Sequence, residues 1–173
     1  MTTFNFAKDV DDIEQPVPIE EDWYVASIVK APEIKPNKKK QEGKSYEGGA
    51  GDNMVISLRL LSEDDYANGR AFTLWLPFPS EEDMENYDGR GMLKYDAKME
   101  RLIEFATAAK GCTADGDSIT ILPNGRIGIY VSQGLDQQGN DIVNSIDWFQ
   151  GFKDPDDIGL PEGFGDELPG SSL

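Results

Sequence analysis

Five lysines stand within ten residues of one another: Lys35, Lys38, Lys39, Lys40 and Lys44. Tyr46 follows, and the stretch runs on into Gly48, Gly49 and Gly51. Closely spaced ammonium groups suit a row of phosphates, because each phosphate neutralised releases condensed counterions. A tyrosine beside them adds a flat face on which a base can stack. Glycines let a loop close over a ligand. The same residues also make an ordinary solvated loop, and the stretch by itself leaves both readings open. Its setting is unusual, for the chain has 33 acidic and 16 basic residues and a formal charge of −17.

Other residues are placed by alternation. In the apolar run 71–78, Phe72, Leu74 and Leu76 share one face, and Thr73 and Trp75 share the other. In 54–61, Arg59 falls on the polar face with Val55 and Ser57. Tyr130 lies opposite Ile127, Ile129 and Val131 in the run that Arg126 begins. Trp75 and Arg59 would form a stacking platform beside the lysine loop, with Arg126 and Tyr130 added to the same candidate surface. Packing beneath a loop or beneath the N-terminal lead is the other reading of Trp75. Trp23 and Trp148 read as core or barrel-end residues. Taken singly, Arg70, Arg90, Lys94 and Arg126 read as surface solvation.

Several chemistries are excluded. There is no histidine, which removes the Ser-His-Asp and Cys-His arrangements and the common zinc ligand sets. Cys112 is the single cysteine, so no internal disulfide is expected. Asp115 with Asp117, and Asp136 with Asp141, do not fit the calcium-loop pattern and read as turns. No glycine-rich phosphate loop of the GxxxxGK[ST] type occurs. The chain is expected to be no enzyme, with no cofactor and no metal.

The elements that must position these residues follow from the same patterns. Strands are expected at 23–29, 54–61, 71–78, 126–132 and 142–149, the last two joined as a hairpin. Pro32 and Pro36 end the first. The one convincing helix is 93–110, with Tyr95, Met99, Leu102, Ile103, Ala106 and Ala109 on one stripe and Gly111 as its C-terminal glycine. The acids crowd the ends. Residues 1–22 hold seven acids and one lysine, a net of −6, and residues 136–173 hold nine acids and one lysine, a net of −8. Three parts are therefore expected: an acidic lead over 1–22 that Phe4 and Phe6 pin to the body, a folded domain over 23–150, and an acidic, disordered tail over 151–173. No apolar run approaches the length that spans a bilayer, and the N-terminus lacks the pattern of a secretory signal. A soluble, cytoplasmic chain is the expectation.

Three strands, a helix, then the closing strands give a mainly β fold. The expected architecture is a five-stranded OB-fold barrel with one α-helix between strands 3 and 4. In that fold the first loop, which here carries the lysines, borders the binding face. Together with the opening FNFAKDV and EEDWYVASIVKAPEIK, the later NGRIGIYVS and GNDIVNSIDWF, and the acidic C-terminus, this layout resembles phage-type single-stranded DNA-binding proteins. The likeness spans about 4–150, with the tail added, and is one of architecture, with no diagnostic motif. It implies sequence-tolerant binding of single-stranded DNA in phage replication or recombination, in the host cytoplasm. Carried onto this chain, the loop lysines and Tyr46 become backbone and base contacts, and Arg59 and Trp75 the sheet platform. The resemblance also implies that the tail recruits replication or recombination proteins and competes for the basic groove. The family's tails end in acids and a phenylalanine, whereas this one ends DELPGSSL, so Phe164, Asp166, Glu167 and Leu168 stand as the partner-binding candidates. Two other classes fit the composition: a non-enzymatic adaptor or structural protein, and an acidic mimic of DNA that inhibits a DNA-binding enzyme. A carbohydrate-binding module fits it less well.

Overall fold

A computed structural model describes residues 1–9, 11, 17–36, 51–136 and 138–159. Period-two burial builds the sheet. In β3 (Asp52–Leu61), Ile56, Leu58 and Leu60 are buried and Arg59 is exposed. In β4 (Ala71–Phe78), Leu74 and Leu76 are buried while Thr73 and Trp75 are exposed. The two strands form a continuous antiparallel ladder from Asp52↔Phe78 to Arg59↔Ala71. Gly69 permits the turn between them, with φ of +79° and its N–H donating to the Leu60 carbonyl at 2.8 Å; that φ is one a side chain disfavours.

The expected first strand is two strands. β1 (Asp22–Ile28) pairs with the second half of β3, and β2 (Glu33–Pro36) pairs with the first half. Pro32 does break the chain, but pairing resumes and runs through Pro36. A proline is tolerated at the margin of a sheet because its missing N–H leaves no ladder bond unmade there.

The expected strand 126–132 is part of a longer one, β6 (Ser118–Leu135), of 18 residues, which also takes in 118–125. Within it Asn124, with φ of +63°, marks the point where its partners change. β1 pairs with one edge of β6, from Arg126 to Val131. Three short strands share the other edge in succession: β5 (Lys110–Asp115), β8 (Phe152–Lys153) and β7 (Ile142–Ile146). β5 was not expected, and Gly111 does not cap the helix. Its φ of +84° falls at the register shift between Lys110 and Cys112, where a bulge needs a glycine.

The eight strands make one curled antiparallel sheet, with β4 at one margin and β7, in line with β5 and β8, at the other. These margins approach each other but share no ladder, so the sheet is an open half-barrel where a closed five-stranded barrel was expected. α1 (Lys94–Ala108) packs against β4, β5 and β6. Its buried residues are Leu102, Phe105 and Ala106. Ile103, expected on this stripe, is 42% exposed, and Phe105 takes the central place with no exposure. Truncating a buried phenylalanine of this kind costs about 3–5 kcal/mol.

The ends differ most from expectation. Phe4 and Phe6 are exposed and pin nothing. Ile19 does the pinning: it is buried, its N–H donates to Asn144 Oδ1 at 2.9 Å, and its carbonyl accepts from Gln133 Nε2 at 2.7 Å. At the other end, residues 151–159 are packed and do not begin a tail. Phe152 meets Phe105 edge to face at 5.1 Å, and Pro155 is fully buried. The composition there is Gly, Pro and acid, but two apolar residues at the right spacing suffice to dock a strap once a sheet edge is waiting for it.

Candidate nucleic-acid interface

The strand register decides which polar side chains share a surface. Directly opposed residues in an antiparallel sheet lie on the same face. Ser27 is opposite Arg59 on one side and Arg126 on the other. Arg59 is in turn opposite Ala71, and Arg126 opposite Lys110. One row therefore crosses five strands: Ala71, Arg59, Ser27, Arg126, Lys110. With strands about 4.8 Å apart, the two arginines have Cα atoms about 10 Å from each other. Arg59 is exposed and donates from Nη1 to the Gly69 carbonyl at 3.2 Å. Lys110 is ion-paired with Asp156.

Trp75 is on this outward face, 48% exposed and opposite Val55. Four residues of β3 separate Val55 from Arg59, or about 13 Å. None of the outward residues of the four long strands is acidic: Trp23, Val25 and Ser27 on β1; Asn53, Val55, Ser57, Arg59 and Leu61 on β3; Ala71, Thr73, Trp75 and Pro77 on β4; Arg126, Gly128, Tyr130 and Ser132 on β6. The four long strands thus add two arginines and no acid to this face, while Glu33 of β2, opposite Val55, brings one carboxylate to it, paired with Lys30 and Lys35.

The remaining expected residues divide. Tyr130 is no open platform: it is half-buried and meets Trp23 edge to face at 5.5 Å, while Lys153 Nζ covers the Trp23 ring at 4.4 Å. Lys35 is exposed on β2, 3.3 Å from Glu33. Its hydrogen bond, with Lys30 adding to it, holds the Glu33 carboxyl below the ordinary range. Lys38, Lys39, Lys40, Lys44 and Tyr46 lie outside the described residues, as do Phe164, Asp166, Glu167 and Leu168. The roots of the lysine stretch are placed, however. Pro36 is opposite Asp52, and Asp52 opposite Phe78. The stretch thus leaves the sheet at the Phe78 end of β4, three residues from Trp75.

Sequence reasoning missed Trp148 and Phe149 as a pair. Their rings stack at 4.4 Å with 18° between planes. Arg101 lies over Trp148 at 4.8 Å and donates to its carbonyl at 3.1 Å. The signal was present, since adjacent aromatics at a strand end cannot both face a core of period two. Trp148 also lines an open groove of about 460 Å³ along the unpaired margins, together with Thr73, Trp75 and Ile146.

The acidic pairs form turns. Asp117 follows Gly116 in the β5–β6 connection, and Asp136 accepts from the Asn140 N–H at 2.9 Å. Among the described residues no three metal-ligating side chains converge, and no helix is long and apolar enough to cross a membrane. Burial pushes the Cys112 thiol up, away from nucleophilic use. A scan against protein-family models and a search of curated proteins both found no match to this chain.

Proposed function

We propose that this protein binds single-stranded nucleic acid with little sequence preference, across the outward face of β3 and β4. The curled sheet with the one α-helix among the described residues is read as an OB-type half-barrel, a scaffold that presents this face to oligonucleotides. The observation that carries the reading is that Arg59 and the exposed Trp75 stand on adjacent strands whose own outward residues include no acid. Arg59 has no ion-pair partner among the described residues, so its charge is available to a phosphate. The lysine stretch leaves the sheet beside the same surface and would add phosphate contacts. A role in DNA replication or recombination, as in the phage-type proteins the sequence resembles, is proposed on the same footing. So is the recruitment of partner proteins by the acidic C-terminus.

The test is tryptophan fluorescence with added oligo-dT at about 50 and about 200 mM salt, where phosphate-dominated binding weakens steeply. Quenching with that salt dependence, lost in Trp75→Phe, is the expected result. No quenching at low salt would overturn the reading and leave the adaptor or mimic alternatives.

A further inference from the structure

A second cationic and aromatic cluster lies where the sequence showed only scattered charges. A pocket of about 310 Å³ opens beside the start of α1, its wall including Arg90, Lys94, Arg101, Trp148 and Phe149 and one carboxylate, Asp88. Most of its cations are answered. Arg90 Nε is 3.3 Å from Asp88 and Arg101 Nη1 3.2 Å from Glu104, while Lys98, also in the wall, is 2.9 Å from Asp83. Lys94 is different: its ammonium has no ion-pair partner among the described residues. Phe149 is 78% exposed, yet one face of its ring is already against Trp148. An exposed phenylalanine pre-stacked on a tryptophan is a platform waiting for a flat ring. An unanswered ammonium in the same pocket adds the requirement for an anion.

The pocket is continuous with the proposed platform. Pro77 is the next outward residue of β4 after Trp75, and Trp148 lines both this pocket and the groove that holds Trp75. From Ala71, opposite Arg59, to Pro77 is six residues of strand, or about 20 Å.

We propose that this pocket takes one nucleotide of the bound single strand, its base laid on Phe149 and its phosphate held by Lys94. The proposal rests on the reading of the outward face as the strand's path, and it extends that path past the margin of β4. An acidic, aromatic peptide has the same two chemical demands and is the rival occupant. A nucleic acid is favoured because the path reaches the pocket directly along β4, whose outward residues Ala71, Thr73, Trp75 and Pro77 include no acid.

The experiment measures binding of the full chain to labelled dT oligomers of about 6 and about 16 nucleotides, spanning the site sizes usual for one such domain. Phe149→Ala should weaken the longer oligomer about tenfold with its salt dependence unchanged, and Phe149→Trp should restore it. Lys94→Ala should weaken it and lower the slope of log affinity against log salt by about one. Both residues are outside the core, so thermal melts should match the parent; if Phe149→Ala misfolds, Phe149→Trp and Lys94→Ala decide alone. If the parent binds and Trp75→Ala weakens binding, but Lys94→Ala and the Phe149 variants do not, the pocket is off the path and the proposed function stands. If the parent binds neither oligomer at low salt, both fall. Binding of an acidic aromatic peptide, lost in Lys94→Ala while oligomer affinity is kept, would assign the pocket to the rival.

Discussion

The outward face of the sheet has two halves that start from similar materials. On β3 and β4 there are Trp75 and Arg59; on β1 and β6 there are Trp23, Tyr130 and Arg126. Trp75 is 48% exposed. Trp23 is closed between Tyr130 at 5.5 Å and Lys153 at 4.4 Å. The difference is the strap of residues 152–159, whose Ile158 and Lys153 lie against Gly128 and whose Asp156 pairs with Lys110. An aromatic residue and a cation on one face therefore define a site only where nothing in the chain has already covered them. The covered half is structure, and the open half is the one proposed to bind.

Removing the cover has the largest expected effect. A Cβ on Gly128 would lie 2.4 Å from Ile158 Cδ1 and 2.7 Å from the Lys153 carbonyl oxygen. Gly128→Val should thus lift the strap at a cost of about 3 kcal/mol. Trp23 should become solvent-exposed, seen as a red-shifted emission. A variant with unchanged melting and emission would show that the strap is not tightly seated.

The open half is held from beneath by one partly buried ion pair, Lys98 to Asp83 at 2.9 Å, with side chains only 12% and 11% exposed. Ser80 adds two hydrogen bonds to the same carboxylate. Lys98→Ala should cost about 2 kcal/mol at neutral pH. Burial alone would raise the Asp83 pKa, but the bonds from Lys98 and Ser80 outweigh it and hold the pKa below 3.8. A depressed carboxyl stabilises the fold above its unfolded value and loses that contribution as pH falls through its folded value. The stability gap between parent and Lys98→Ala should be constant above about pH 5 and close in more acid solution. Denaturant titrations at several pH values will read it, and a gap independent of pH would remove Asp83 from the account.

A smaller effect separates the two tryptophans directly. Trp75→Ala should lower affinity for oligo-dT about tenfold, in keeping with the loss of one stacked base, and leave thermal stability nearly unchanged. Trp23→Phe should do neither to binding. Equal losses from both would mean that the strap opens when a ligand arrives. The smallest effect is expected from Asp156→Ala. The ion pair it removes is largely exposed, and such pairs contribute under about 1 kcal/mol; a loss well above that would make Asp156 the strap's main latch.

The open half was the more legible of the two in the sequence. The 71–78 strand was read with its observed limits, and Trp75 and Arg59 were assigned to the outward face from alternation alone. What alternation does not reveal is register, and so the row joining Arg59, Ser27 and Arg126 had no sequence signal. β5 was missed because Lys110–Asp115 is an edge strand with no buried residue to set a period. The strap was missed because its glycine, proline and acid content is that of a disordered segment, while its docking depends on an edge of β6 far away in the chain. Trp148 was read as a core or barrel-end residue and does pack against the core, but its partnership with Phe149 and Arg101 needed the turn after β7 to be known.

The pairing of β1 with β6 also orders events in time. Ser27 finds its partner in Arg126, about a hundred residues later, and contacts of such separation form slowly because a long loop must close first. The β3–β4 hairpin closes through a short turn and needs nothing downstream. During synthesis it can be complete on an emerging chain while β1 still lacks the neighbour on its second edge. The strap, with nothing to dock against until β6 is in place, joins last. Apolar residues of β1 therefore stay without half of their cover while most of the chain is being made, and it is there that a chaperone would find its hold.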